Sequence, residues 1–585
     1  MMTAPRPGRR PALRTTLALF GALGALAGLA ALGTACEGGS LDGPAPPGGG
    51  GGAAGMAGAP GAQGAQGAQG AQGGGGAPGE AEITFGVPGP LATDAGKGRF
   101  TFGAATAATQ IEDQNTSTDW HVWTAPPPEG LGRGEAFVGE AVRGYSKALD
   151  DVGLVADLNL DAYRFSVEWA RVEPARDQVN DEALAHYDAV FEALAARGIR
   201  PVLTVHHFAS PVWVDDPRAP ACPGGPGDQN LCGWDHPEGG PLVVEELAEH
   251  ARLLAARYGK YVDDWATLNE PINYLLASYG LGSFPPGKQL AVAADLGPFL
   301  RVLRNYIDAH VAVYRAIKEA DTVDADGDGV AANVGFTLSV ATWAPARNNA
   351  PSLDPADVAA AARLSYFYHY FFVEALRQGG FDPELDGSPT EPHPEWQDAL
   401  DWLGVQYYFR AGVSAQPPIF PTLNLVACFE AFDAGACLPP SDPTHFVPAM
   451  GYEYYEPGIY DILRDFSGRW PDLPLTVTES GIATTVERRR AEHVVRSLEQ
   501  IARARDEGVD VRGYFHWSLV DNFEWALGFG PRFGLYSVDR ATYARAPTEG
   551  SALLTAIAGE RRLTPAQRAT YGGLGPMTPE PGASP

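Results

Sequence analysis

Between residues 99 and 517 the chain repeats one alternation eight times, a short β-rich run followed by a longer polar or helical stretch. The runs are 99–104, 162–167, 201–206, 265–268, 333–339, 402–408, 475–478 and 511–517, and helical spacing is clearest at 181–196, 244–258 and 487–505. Strands separated by helices pair in parallel, and eight such units close into a (β/α)8 barrel, an α/β fold with long βα loops. The barrel is expected over residues 98–563. In such a barrel every strand ends at the same mouth, so polar residues at the strand ends meet in one pocket. Gln110 follows the first run, Arg164 lies in the second, and His206 and His207 end the third. Asn269 and Glu270 follow the fourth, Tyr407 and Tyr408 end the sixth, Glu479 follows the seventh, and Trp517, Glu524 and Trp525 close the series.

The flanks are of another kind. Arg6, Arg9, Arg10 and Arg14 precede the apolar run 17–32, which ends in Gly33-Thr34-Ala35-Cys36. Basic residues, a short apolar core and small residues before a cut describe an export signal over 1–35. Cys36 after small residues resembles a bacterial lipoprotein signal, in which that cysteine becomes the lipidated N-terminus and a membrane tether. The expected location is a membrane-anchored lipoprotein at the periplasm or cell surface, with plain secretion as the alternative. Of the chain's 71 glycines, 22 fall between Gly38 and Gly96. Residues 36–97 therefore read as a disordered Gly/Ala/Gln-rich linker with too little apolar content for a core. Residues 564–585 read as a flexible tail. The net charge of −29 argues against nucleic acid as a partner.

An exported chain is free to form disulfides. Cys222 and Cys232 close one short loop and Cys428 and Cys437 another, and neither spacing suits a zinc ribbon. Asp324, Asp326 and Asp328 alternate with small residues as in the start of a calcium loop, but Gly335 stands where such a loop needs its closing Glu. These aspartates are a structural-calcium candidate, with a solvated acidic turn as the plainer reading; no other cofactor is called for.

The two carboxylates after strands carry the chemistry. Thr267-Leu268-Asn269-Glu270-Pro271 and Thr478-Glu479-Ser480-Gly481 each place a Glu at the mouth. Cleaving a glycosidic bond takes one protonated carboxyl to protonate the leaving oxygen and one ionised carboxylate facing the anomeric carbon. With Phe102-Gly103-Ala104-Ala105-Thr106, Tyr163-Arg164-Phe165-Ser166 and Trp517–Trp525, the chain resembles glycoside hydrolase family 1, the retaining β-glycosidases that include β-glucosidases.

The resemblance implies an exo-acting enzyme on unphosphorylated β-glycosides. Glu270 would be the acid/base and Glu479 the nucleophile, oriented by Arg164 and Tyr408. Gln110, His207, Asn269, Glu524 and Trp525 would bind the sugar hydroxyls over Trp517, and Tyr452 would stand on the aglycone side. Gln406, Phe208, Tyr452 and Ser480 depart from the family's usual residues. Transglycosylation through the same intermediate is the alternative activity, and a non-catalytic carbohydrate-binding barrel is the remaining one.

Overall fold

The structure, a computed structural model, describes residues 81–292, 295–417, 423–428 and 434–581. The export signal, Cys36 and the linker up to residue 80 lie outside the described residues. Eight strands form the barrel: β1 (Thr101–Ala105), β2 (Ala162–Ser166), β3 (Arg200–His206), β4 (Asp264–Asn269), β5 (Asn333–Arg347), β6 (Leu403–Ser414), β7 (Leu475–Ser480) and β8 (Val511–Trp517). Each pairs in parallel with the next, and β8 closes on β1 through Gly513↔Thr101 to Trp517↔Ala105.

The helices that return the chain include Ala148–Asp157, Asp181–Ala195, Gly239–Tyr258, Gly297–Ala320, Pro457–Arg469, Glu487–Asp506 and Glu549–Glu560. Asn180 starts the second of these, its side chain accepting from the amides of Glu182 and Ala183 and so satisfying donors that an uncapped helix leaves open. Among the described residues no helix is long and apolar enough to cross a membrane.

Strands β5 and β6 run well past the lengths their sequence pattern suggests. Their extra residues stay paired, Ala411 with Trp343 and Val413 with Pro345, and rise above the mouth as a wall. Antiparallel pieces at Val426–Ala427 and Tyr452–Glu453 pair onto β6, and the second brings Tyr452 to the pocket. The Cys428–Cys437 disulfide lies in this wall and Cys222–Cys232 in the loop after β3, with Cα atoms 4.7 and 5.5 Å apart, as the cysteine spacing suggests.

Two expectations about the flanks are corrected. Residues 81–97, read as the end of a linker, are part of the domain. Ile83–Thr84 pairs antiparallel with Arg562–Leu563, and Phe85 packs among Phe100 and Phe102. Leu91 is buried inside the barrel against Ala162, Val202, Ala266, Trp402 and Phe515. Large rings fit there because two strands carry glycine: a Cβ on Gly103 would sit 2.2 Å from the Phe515 ring, and one on Gly335 would sit 2.2 Å from the Trp402 carbonyl oxygen. The floor is therefore a close-packed plug to which the N-terminal segment contributes. Its glycines at 86, 89 and 96 disguised it as linker.

Residues 564–581 are likewise not a free tail. Thr564 and Gln567 form a capping box for the helix Pro565–Tyr571. Arg496 then donates to the carbonyls of Gly575 and Pro576, Met577 is buried, and Glu580 accepts from the Thr485 amide.

Removing the plug should cost stability more than catalysis. Leu91→Ala is expected to lose about 2–5 kcal/mol, the range for truncating a buried leucine, read as a lowered denaturation midpoint. A chain begun at residue 98 should unfold at lower denaturant than one begun at residue 81. Equal midpoints for those two chains would show that the segment does not belong to the core.

Candidate active site

The mouth of the barrel holds a cavity lined by His207, Asn269, Glu270, Tyr408, Tyr452, Glu479, Trp517, Glu524 and Trp525, all singled out in the sequence. Arg164 and Gln110 stand behind the lining and are fully buried. Residues separated by more than 300 positions meet because most of them sit at, or soon after, the carboxyl end of a barrel strand, while Tyr452 is carried in by the piece paired onto β6.

Glu479, in β7, is held from two sides. Arg164 Nη1 donates to one of its oxygens and the Tyr408 hydroxyl to the other at 2.7 Å. Arg164 Nη2 turns to Asn269 Oδ1 at 2.7 Å, which also accepts from Thr337 Oγ1 at 2.9 Å and Gln406 Nε2 at 2.9 Å. Gln406, one of the departures from the family's usual residues, thus bonds to Asn269, and the ladder between β6 and β7 shifts register between Val405 and Gln406. With Oδ1 taken three times, Asn269 Nδ2 is left to face the cavity.

Glu270 directly follows β4 with φ 43° and ψ 63°, a left-handed conformation that costs a side-chain-bearing residue on the order of 1 kcal/mol. Its amide donates to the Thr337 carbonyl at 2.8 Å, and Pro271 starts a short helix behind it. Asn273, three residues on and so on the same helical face, donates Nδ2 to Glu270 Oε2 at 2.6 Å. Asn273 and Ser339 were missed in the sequence. The i, i+3 spacing from Glu270 was the available signal for the first, and its place at the end of the predicted fifth run for the second.

The surroundings separate the carboxyls. Burial pushes the Glu270 carboxyl up to about 8, helped by the negative charge of Glu479 and opposed by hydrogen bonds from Asn273 and Ser339. Burial also raises Glu479, but the charge of Arg164 and the hydrogen bonds from Tyr408 and Arg164 pull it back. Glu479 is therefore the anion and Glu270 the acid of the pair. Glu524, buried and near Glu479, is also pushed up to about 8, with Gln110 Nε2 at 3.4 Å from it. His207 is driven well below the ordinary histidine range by burial, and so is neutral between Trp517 and Trp525, whose rings lie 5.9 and 6.0 Å away.

A pocket with one acid, one anion and aromatic walls at a barrel mouth is the arrangement of a glycosidase, and the comparisons agree. The model of the glycosyl hydrolase family 1 matches residues 93–562. The chain belongs to that family. It is 31 % identical over 501 residues to a beta-galactosidase of Pyrococcus woesei, covering 77 % of this chain and 94 % of the relative. It is 27 % identical over 471 residues to beta-glucosidase A of Thermotoga maritima, covering 76 % and 94 %. Among solved structures, the beta-glycosidase from Pyrococcus horikoshii superimposes with a TM-score of 0.65 at 27 % identity, over 82 % of this chain and 98 % of the other. As a family 1 glycosyl hydrolase the chain is a glycoside hydrolase enzyme.

With Glu270 as the proton donor, the role proposed below, activity is expected to fall as pH rises through about 8. Asn273 stabilises the ionised form. Asn273→Leu should therefore move the alkaline limb of kcat/KM upward by about one pH unit, the equivalent of a hydrogen bond worth about 1.4 kcal/mol. A limb that stays in place, measured on an alkyl glycoside whose poor leaving group needs that proton, would show that another group sets it.

Proposed function

We propose that the protein is a retaining exo-β-glycosidase, a β-glucosidase in preference, acting on unphosphorylated terminal β-glycosides outside the cytoplasm. The observation that carries the mechanism is the unequal support of the two carboxyls. Glu479 faces the cavity with a guanidinium and a phenol on its oxygens, and Glu270 with only an amide and a hydroxyl.

In the first step Glu479 attacks the anomeric carbon and forms a glycosyl ester, while the C–O bond to the aglycone breaks. The aglycone oxygen takes the proton from Glu270. In the second step Glu270, now ionised, removes a proton from water, and the water oxygen displaces Glu479 from the anomeric carbon. Since Asn273 occupies Oε2 of Glu270, Oε1 carries the proton that is passed back and forth. Retention needs no water between nucleophile and sugar, and that Glu270 and Glu479 line one cavity supports this reading.

The sugar end would be held by Asn269 Nδ2, His207 and Glu524 over the Trp517 face. No lysine or arginine is among the described residues lining the cavity, and Glu524 lies there instead, so a phosphate on the sugar would find no cation. These contacts serve glucose and galactose alike, so the glucosidase preference rests on the family resemblance alone. The relatives named above include one beta-galactosidase and one beta-glucosidase.

Glu270→Gln and Glu479→Gln are each expected to lower kcat/KM on an alkyl or cello-oligosaccharide substrate by at least about 1000-fold. Azide should rescue Glu479→Gly with a glycosyl azide of inverted configuration, because a small anion then enters where the carboxylate was. Wild-type rates in Glu479→Gln would refute the nucleophile assignment. A panel of nitrophenyl β-glycosides decides the sugar, and a galactoside faster than the glucoside would overturn the glucosidase preference.

A further inference from the structure

At the end of the barrel opposite the cavity, the turn 324–329 lies under the starts of β4 and β5. Asp324 accepts from the amides of Gly327 at 2.7 Å, Asp328 at 3.1 Å and Gly329 at 3.0 Å, so it shapes the turn while one side of its carboxylate stays open to solvent. Asp328, named with Asp324 and Asp326 in the sequence, turns away from them. Its oxygens are taken by Thr93 Oγ1 at 2.8 Å, Asn333 Nδ2 at 3.1 Å and the Val330 amide at 2.8 Å. In its place stands Asp263, the residue before β4, which carries no motif of its own. Carboxylate oxygens of Asp263, Asp324 and Asp326 lie within 4.8 Å of one another.

Asp263 makes this more than an acidic turn. It is only 4 % exposed, its Oδ2 accepts from the Asp326 amide, and its Oδ1 is buried with no hydrogen-bond partner. An unpartnered carboxylate oxygen buried beside two other carboxylates is costly unless a cation meets it or a proton is shared with a neighbouring carboxylate. Arg200 is the cation at hand, and its Nη2 is spent on Asp264 and Asp326 at 2.6 Å each.

We propose that Asp263, Asp324 and Asp326 bind a calcium ion that clamps the floor of the barrel. The donors are all hard oxygens, with no histidine or cysteine in the group. Oxygens at these separations can all reach one ion at about 2.3–2.6 Å, with water completing its shell, whereas magnesium requires a tighter and more regular octahedron. The ion would join the end of one crossover to the start of β4. Through Asp328 and Thr93 the same turn also holds the N-terminal segment whose Leu91 plugs the barrel. It lies at the face of the barrel that serves stability and not chemistry.

The test uses the purified full-length protein, stripped with a chelator and then titrated with calcium chloride, read by calorimetry and by thermal unfolding. Binding at one site and a rise in Tm of at least about 2 °C are expected, with little change in hydrolysis of a nitrophenyl glycoside. Asp324→Asn keeps an oxygen to shape the turn, so its chelated Tm should match wild type while its calcium affinity falls at least about tenfold. Asp263→Asn removes the buried charge and should abolish the calcium-induced rise without lowering the chelated Tm.

The proposal is overturned if calcium gives no heat and no change in Tm, which would mean Arg200 and a shared proton suffice. It is equally overturned if both variants keep wild-type affinity, or if magnesium at the same concentration stabilises as much as calcium.

Discussion

The site depends on one buried guanidinium. The cavity brings Glu270, Glu479 and Glu524 together away from water, and Arg164 is, among the described residues, the single arginine that touches any of them. Three carboxylates cannot all ionise in such a place. Arg164 settles which one does by donating to Glu479, and its other nitrogen fixes Asn269 beside it. Without that charge Glu479 would be an uncompensated buried anion, which proteins avoid by protonation. The proposed acid and nucleophile roles thus follow from where one cation points.

The barrel supplies what Arg164 cannot arrange alone. Arg164 sits in β2, Glu479 in β7, and Asn269 at the end of β4, and only closure of the sheet puts them in contact. That closure is stiffened from below by Leu91, Trp402 and Phe515, and shaped above by the long β5–β6 pair that carries Tyr452 to the rim. The two ends therefore divide the work. The floor is packed and tied by ion pairs, and the mouth keeps the left-handed Glu270 and the unequally supported carboxyls.

Much of this was legible because strands and catalytic residues leave local marks. The eighth run, 511–517, coincides with β8, and β4 and β7 each exceed their predicted runs by only two residues. Glu270 and Glu479 stood out as acidic residues directly after apolar runs. What stayed hidden had no local mark. Asp263 is an ordinary strand-leading aspartate until the 324–329 turn folds under it, and Asn273 matters only because a helix starts at Pro271. Residues 81–97 and 564–581 lack periodicity and carry many glycines and prolines, yet they dock through Phe85, Leu91, Met577 and Glu580. Burial of single side chains against a distant surface is not written in sequence spacing.

The most direct test of the central claim is to trap the covalent intermediate. An activated 2-deoxy-2-fluoro-β-glycoside slows both steps, the second more when the leaving group is good, so the sugar stays on the nucleophile. Intact mass spectrometry should show one added sugar per chain, and peptide mapping should place it on Glu479. A label on Glu270, or inactivation with no added mass, would contradict the assignment of Arg164's partner as the attacking carboxylate.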